Sequence, residues 1–157
     1  MAQLRLLPMT DTEFTVFRAE LITSYAAHHV EAGDWEPDEA EGRAAAEIDG
    51  LLPDGPGTAG MLVLVAENDS GERVGHVWIA LGRSRPEHAW IFDTEVNSGH
   101  RGNGYGRALL QAGEDQAREH GSSTIGLHVF GANKVARNLY ESSGYQTTSV
   151  VMRKTLR

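Results

Sequence analysis

The sequence contains no cysteine. Disulfide bonds, a thiolate nucleophile and metal sites built on cysteine are therefore excluded. The seven histidines form no metal-binding pattern either, because His28 and His29 are adjacent and no H-E-x-x-H occurs. A G-x-S-x-G nucleophile elbow is also missing. We expect neither a bound metal nor a covalent intermediate on the protein.

Long apolar runs and an excess of positive charge are missing as well. No apolar run approaches the about 20 residues that a membrane-spanning helix needs. The N-terminal residues lack the apolar core of a signal peptide, so we expect a cytoplasmic protein without a membrane partner. The net charge of −8 argues against general binding to nucleic acid. All of this charge lies in residues 31–54, which hold nine acidic residues and one basic residue, Arg43.

The 157 residues show no internal repeat, linker or low-complexity tract, so we predict a single domain over 1–157. Apolar periodicity, helix caps and turn residues predict the individual elements. Strands are predicted at 3–7, 61–66, 73–81, 89–96, 124–130 and, as one strand or two short ones, 145–156. Helices are predicted at 10–31, 37–52, between Gly106 and Gly121, and between Asn133 and Gly144. This order favours a mixed α+β fold with helices packed on a central sheet.

A glycine-dense turn precedes the third predicted helix. Four glycines fall within eight residues, at Gly99, Gly102, Gly104 and Gly106. Glycines ahead of a helix let backbone N–H groups approach an anion, the helix N-terminus adds positive potential, and Arg101 and Arg107 lie nearby. The pattern favours a phosphate ligand, with a plain turn as the alternative. A dinucleotide fingerprint fails because Arg107 takes the place of its last glycine, and the P-loop Gly-Lys-Ser/Thr is missing.

The spacing R-x-x-G-x-G, formed by Arg101, Gly104 and Gly106, resembles the acetyl-CoA pyrophosphate loop of the GCN5-related N-acetyltransferases, the GNAT family. A second block, residues 126–146, resembles the strand–Asn–helix–Tyr segment of the same family. The resemblance covers the C-terminal half closely and the N-terminal half in outline. It implies a mixed, mostly antiparallel sheet of about six to seven strands, flanked by about four helices. In such a fold, two strands that splay apart hold the cofactor.

The resemblance further implies that acetyl-CoA is the co-substrate, and it assigns the residues that bind it. The backbone of Val96 would contact pantetheine, and Asn133 would contact the cofactor in addition to capping a helix. The pyrophosphate loop would comprise Arg101, Gly102, Asn103, Gly104, Tyr105 and Gly106, with Arg107 as a further phosphate partner. The alternative for both arginines is ordinary surface charge, and for the glycines a role in the turn alone.

Three residues are candidates for catalysis. Tyr140 lies in N-x-x-A-x-x-x-Y, where the family often places a tyrosine near the cofactor sulfur, so its hydroxyl could protonate the leaving thiolate. A half-buried structural tyrosine is the alternative. An amine nucleophile must be neutral, and at pH 7.4 deprotonation costs about 4 kcal/mol for a pKa near 10.4. Asp93 and Glu95 alternate on one face of a predicted strand, and both are candidates for the general base. Glu95 is preferred because it immediately precedes Val96. One alternative is that the two carboxylates are a surface pair on the far side of the sheet. Another is that ordered water takes the place of a protein base.

These residues predict an N-acetyltransferase that moves an acetyl group from acetyl-CoA to a primary amine of a small molecule or protein by direct attack. A non-catalytic acyl-CoA sensor, and a transferase for another acyl chain or acceptor, remain alternatives. The acidic residues 31–54 predict a cationic acceptor, or else a solvated helix face. Trp35 and Trp78 belong either to an acceptor pocket or to the core. A homodimer formed through an edge strand is compatible with this fold.

Overall fold

The computed structural model describes residues 2–157, and its centre is one five-stranded sheet with helices on both faces. The strands are β1 (Arg5–Pro8), β2 (Met61–Glu67), β3 (Arg73–Ala80), β4 (His88–Val96) and β5 (Thr124–Leu127). The helices are α1 (Asp11–Glu31), α2 (Ala40–Leu51), α3 (Tyr105–Glu119) and α4 (Lys134–Ser142). The strands lie in chain order, antiparallel from β1 to β4, with β5 parallel to β4. The predicted mixed, mostly antiparallel sheet with four helices is confirmed.

The predicted number of six to seven strands was too high, since residues 2–157 contain five. β5 ends at Leu127 instead of Phe130, and no strand forms over 145–156. The C-terminal residues are rich in threonine and valine, which favour strands, but strand propensity mainly reflects the fit to a half-buried sheet surface. Residues 146–156 are exposed and pair with no other strand of the described chain, so the propensity alone does not produce a strand.

Local signals set the helix ends. Thr10 caps α1 through a reciprocal capping box, in which its hydroxyl accepts from the Glu13 N–H and the Glu13 carboxylate accepts from the Thr10 N–H, both at 3.1 Å. α3 starts after Gly104, which has a left-handed φ of 79°. Asn133 caps α4 as predicted, since its side chain accepts from the Ala136 N–H at 3.2 Å.

The two faces of the sheet carry different helices. Leu64, Val77 and Ile79 pack against α3, whereas Val63 and Trp78 face α1 and α2. Trp35 is buried under the connection between α1 and α2, in a cluster with Ala26, Ala40 and Ala44. Both tryptophans therefore belong to the core, which decides between the two predicted roles.

β4 and β5 separate partway along the sheet. Their pairing runs from His88 opposite Thr124 to Ile91 opposite Leu127 and then stops, because β5 ends there. β4 continues for five more residues to Val96. Over those residues, the side of β4 that faces β5 has no strand neighbour within the described chain. The end of β5 leaves backbone N–H and C=O groups of β4 available to a ligand beyond Ile91.

Candidate active site

The connection between β4 and α3 presents a row of free backbone donors. The N–H groups of residues 101–107 donate to no acceptor within residues 2–157, and the first carbonyl used by α3 is that of Gly104, which accepts from Ala108 at 3.3 Å. Gly102 and Gly104 have φ angles of 83° and 79°, in the left-handed region that favours glycine. Seven donors therefore lie at the positive end of a helix of 15 residues.

The space in front of these glycines is open. A Cβ atom built on Gly102 or Gly104 would meet no heavy atom within 4 Å. Arg101 lies beside them, where its Nε donates to the carbonyl of Val96 at 3.2 Å and its guanidinium lies 3.5 Å from the Glu95 carboxylate. Free donors, open space and an adjacent cation together form a cradle for an anionic group.

Other predicted loop residues have partners inside the protein. The Asn103 side chain donates to the carbonyl of His100 at 3.1 Å, and the Tyr105 hydroxyl accepts from the Asn68 side chain at 3.2 Å. Asn103 and Tyr105 therefore stabilise the loop from the side.

Arg107 connects α3 to α4 in this structure. Its guanidinium donates to the hydroxyls of Ser142 at 2.8 Å and Ser143 at 3.1 Å. Close packing supports the same contact, since a Cβ on Gly106 would lie 3.4 Å from the Leu139 side chain. The start of α3, which carries the anion cradle, and the helix that carries Tyr140 are therefore in direct contact.

Asp93 and Glu95 occupy the α1–α2 side of β4. The register places Asp93 opposite Trp78 and Glu95 opposite His76, and Trp78 packs on that side. Their environments differ. Asp93 is mostly buried, and its Oδ2 lies 2.7 Å from Nε2 of His76. Glu95 is half exposed and faces Arg101.

His76 is a site residue that the sequence reasoning missed. It lies on β3, its side chain is 14% exposed, and its ring meets the ring of Phe17 edge-on at 4.8 Å. A carboxylate can only accept, so the contact with an ionised Asp93 requires a proton on Nε2 and leaves Nδ1 as an acceptor in the neutral ring. Nδ1 of His76 has no hydrogen-bond partner in the protein. Because every fully buried side-chain N or O in the described residues does have one, Nδ1 must be accessible to solvent.

The charge state of His76 depends on two opposing effects. Burial by itself lowers the pKa of His76, but the hydrogen bond and charge of Asp93 outweigh it and raise the pKa above its usual value. A histidine alone is a weak sequence signal. Its pairing with Asp93 depends on the bulge at which β4 gains one residue opposite Trp78 and Ile79, and nothing in the sequence marks that bulge.

Tyr140 lies on α4, partly buried among the residues packed on the α3 side. Burial, and then the negative charge of Asp93, raise the pKa of its hydroxyl. The hydroxyl forms no hydrogen bond to a residue within 2–157. The charge of Asp93 therefore acts on Tyr140, although Tyr140 packs on the α3 side of the sheet and Asp93 lies on the α1–α2 side.

The end of α1 borders this region. The rings of His28 and His29 lie 5.4 and 5.3 Å from that of Phe130, which follows β5, and His29 stacks on Trp35 at 4.0 Å. Residues 31–54 start here. Five of their nine carboxylates have side-chain partners, namely Asp34, Glu39, Glu41, Glu47 and Asp49. Glu36 and Asp38 are exposed and have no side-chain partner in the described chain.

Comparison with known proteins identifies the family. The model of the Acetyltransferase (GNAT) family matches residues 22–145. The chain belongs to the GNAT family. Two uncharacterized N-acetyltransferases of Bacillus subtilis are similar to this GNAT protein over nearly their whole length. YdgE is 32% identical over an alignment that covers 94% of this chain and 95% of YdgE. YycN is 36% identical over an alignment that covers 96% of this chain and 97% of YycN.

The crystal structure of YycN matches this GNAT protein with a TM-score of 0.94 and 34% identity, over 99% of each chain. The resemblance inferred from Arg101, Gly104 and Gly106 is thereby confirmed at the level of the family and of the fold. Across residues 2–157, every helix of this GNAT protein is too short or too polar to cross a bilayer.

Proposed function

We propose that this protein transfers an acetyl group from acetyl-CoA to a primary amine by direct attack. The observation that carries the proposal is the row of seven free N–H groups over residues 101–107, beside the unpaired end of β4. The chemical groups at this site match those of the cofactor. The loop and Arg101 would hold the diphosphate, and the free backbone of β4 around Val96 would accept and donate to the amides of pantetheine. Bound acetyl-CoA would supply an activated thioester with a thiolate leaving group.

The protein contributes a proton donor and a proton acceptor. The hydroxyl of Tyr140 carries a proton that it can donate to the leaving sulfur, and burial and the charge of Asp93 raise the pKa of this hydroxyl. The Nδ1 of His76 can take the proton of the amine, directly or through one water molecule, while Asp93 holds the ring and stabilises its charged form. We prefer this pair to Glu95, because Glu95 is half exposed and faces Arg101.

Changing Asp93 to asparagine should lower kcat/KM at pH 8 about tenfold and move the acid limb of the pH profile to lower pH. The direction follows from the charge. Asp93 raises the pKa of His76, so its neutral substitute lets the imidazole lose its proton at a lower pH. The measurement is kcat/KM for one amine acceptor between pH 5.5 and 9.

Glu95→Gln is the matched control, because it removes the neighbouring carboxylate on the same face of β4. Glu95→Gln should lower kcat/KM less than Asp93→Asn does, and it should move the acid limb of the pH profile by a smaller amount. If the glutamine variant were the slower one, Glu95 would be the base and His76 a structural residue.

We further propose a cationic acceptor, such as a polyamine, an aminoglycoside, an amino acid amine or a lysine side chain. The support is the position of Glu36 and Asp38, whose carboxylates have no partner and directly follow the Trp35–His29 stack beside Phe130. Their potential would raise the local concentration of a cation near the amine-binding side of β4.

Reversing Glu36 and Asp38 to lysine should raise KM for a cationic amine about three- to tenfold at low salt, and less at high salt, with little change in kcat. Initial rates at two ionic strengths provide the measurement. The control reverses Asp115 and Glu119 on the far part of α3, which changes the net charge equally. Equal effects of the two reversals on KM would remove residues 31–54 from acceptor recognition.

The proposed activity itself is tested in two steps. Thermal unfolding with CoA and with acetyl-CoA should show a higher melting temperature in each case. A screen of amines should then find release of a free thiol, with no background from the protein because it has no cysteine. Stabilisation without turnover on any amine would favour an acyl-CoA sensor. Turnover only with a longer acyl chain or a hydroxyl acceptor would correct the donor or acceptor.

A further inference from the structure

α4 is a short helix whose position depends on its neighbours. It spans nine residues, and none of them is fully buried. A helix of this length has little stability of its own in water, so contacts with the rest of the protein must hold it. The hydroxyl of Tyr140 adds no anchor, since it bonds to no residue within 2–157. The place of this hydroxyl is therefore decided by the contacts that fix α4.

Arg107 supplies the polar part of that attachment. Its Nη2 donates to the Ser142 hydroxyl at 2.8 Å and its Nη1 to the Ser143 hydroxyl at 3.1 Å. Each hydroxyl in turn donates to the carbonyl of Leu139, at 3.0 and 2.7 Å. The guanidinium therefore reaches, through two hydroxyls, the residue that precedes Tyr140. Its charge also lies at the C-terminal end of α4, where the helix dipole favours a cation.

Two further contacts join α3 to this part of the chain. A Cβ atom on Gly106 would lie 3.4 Å from the Leu139 side chain, so the glycine lets α3 approach α4 closely. Just beyond α4, the Tyr145 hydroxyl donates to Glu114 on α3 at 2.9 Å. The first turn of α3 therefore carries part of the row of free N–H groups and supports α4 at the same time.

We propose that Arg107 is a positioning residue, which fixes the end of α4 and thereby places the Tyr140 hydroxyl where the thiolate leaves. The inference rests on the proposed acetyl transfer and adds a residue that this reaction needs away from its reacting atoms. A hydroxyl must come within about 2.6–3.2 Å of the atom that it protonates. A displacement of about 1 Å can cost a large part of the rate. Because α3 supports both the diphosphate site and α4, the sulfur and the hydroxyl are held by one common element.

A direct contact between Arg107 and the diphosphate is the competing role. The two roles need different partners, since positioning requires the serine hydroxyls and phosphate binding does not. Ser142→Ala combined with Ser143→Ala should therefore lower kcat about tenfold and change the affinity for acetyl-CoA less than about twofold, as measured by calorimetric titration. The arginine stays available to a phosphate in this variant, so an unchanged kcat would overturn the proposal.

Arg107→Met removes the donors and keeps most of the aliphatic stem. It should likewise lower kcat about tenfold, with the affinity for acetyl-CoA nearly unchanged. Arg118→Met is the control and should leave kcat unchanged, because it takes an exposed arginine from the far end of α3, where Arg118 pairs with Asp115 at 2.6 Å. A weaker affinity for acetyl-CoA with an unchanged kcat in Arg107→Met would assign the arginine to the diphosphate and overturn the proposal.

A double-mutant cycle with Tyr140→Phe separates positioning from a general loss of structure. Arg107→Met should lower kcat about tenfold when Tyr140 is present and less than about twofold in the phenylalanine background, since no hydroxyl is then left to place. Equal losses in the two backgrounds would show that Arg107 acts on another part of the site and would overturn the proposal.

Amide hydrogen exchange tests the attachment without turnover. Exchange over residues 134–142 should be about tenfold faster in Arg107→Met than in the parent protein or in Arg118→Met, with exchange in the strands unchanged. Equal exchange in all three proteins would overturn the proposal even in an active enzyme. A parent protein that released no thiol with any amine would refute the proposed function instead, and the exchange rates would still decide whether Arg107 holds α4.

Discussion

Replacing Tyr140 by phenylalanine is expected to lower kcat for acetyl transfer about 100-fold or more, with little change in the affinity for acetyl-CoA. The ring remains in its partly buried place on α4, and only the hydroxyl is removed. Without it, the thiolate must leave unprotonated or take a proton from water, and both raise the barrier of the chemical step. Steady-state kinetics together with calorimetric titration of acetyl-CoA separate the loss of rate from a loss of binding.

Tyr145→Phe is the control for this substitution, because its ring lies 5.9 Å from that of Tyr140 and its hydroxyl bonds to Glu114 on α3. Loss of that hydrogen bond should lower the melting temperature and leave kcat nearly unchanged. Full activity of Tyr140→Phe would show that the hydroxyl takes no part in the reaction.

Changing Gly104 to valine is expected to weaken binding of CoA at least about 100-fold. The residue has a φ of 79°, which a β-branched side chain strongly disfavours, so the loop must change its path. The new side chain would also project into the open space in front of the free N–H groups. Calorimetric titration with CoA measures the effect directly, independently of any acceptor.

The control is Gly121→Val at the other end of α3. Gly121 has a φ of 90°, and a Cβ there would also meet no atom within 4 Å, so the two substitutions impose similar backbone strain. The melting temperature should fall to a similar extent in both variants, but only Gly104→Val should lose affinity for CoA. Equal affinities in the two variants would remove the loop from cofactor binding.

Much of the fold could be predicted because its signals are local. The bounds of α1 match the prediction since capping by Thr10 and the break at Gly33 lie within one turn of the helix ends. The loop before α3 was equally accessible, because Gly104 and its neighbours act through their own backbone angles. Such features need no knowledge of which strands pair.

The rest of the candidate site depends on contacts between distant residues. Asp93 meets His76 across 17 residues, through a strand register that includes a bulge, and no composition rule gives that register. Arg107 resembled a phosphate ligand by its position, but here its guanidinium reaches serines 35 and 36 residues away. The predicted C-terminal strand failed for a related reason, since a strand requires an edge that its own chain does not bring to it.

The sheet separates the two approaches to the proposed reaction centre. Asp93 and His76 face the α1–α2 side, whereas the free amides lie at the start of α3, which packs on the opposite side. Beyond Ile91 and Leu127, β4 and β5 no longer pair, so within residues 2–157 no strand neighbour closes the sheet beside the end of β4. For the proposed transfer, donor and acceptor would therefore approach from opposite faces of the sheet and be held together in one ternary complex. In the proposed reaction, the acetyl group would pass in a single displacement and never reside on the enzyme.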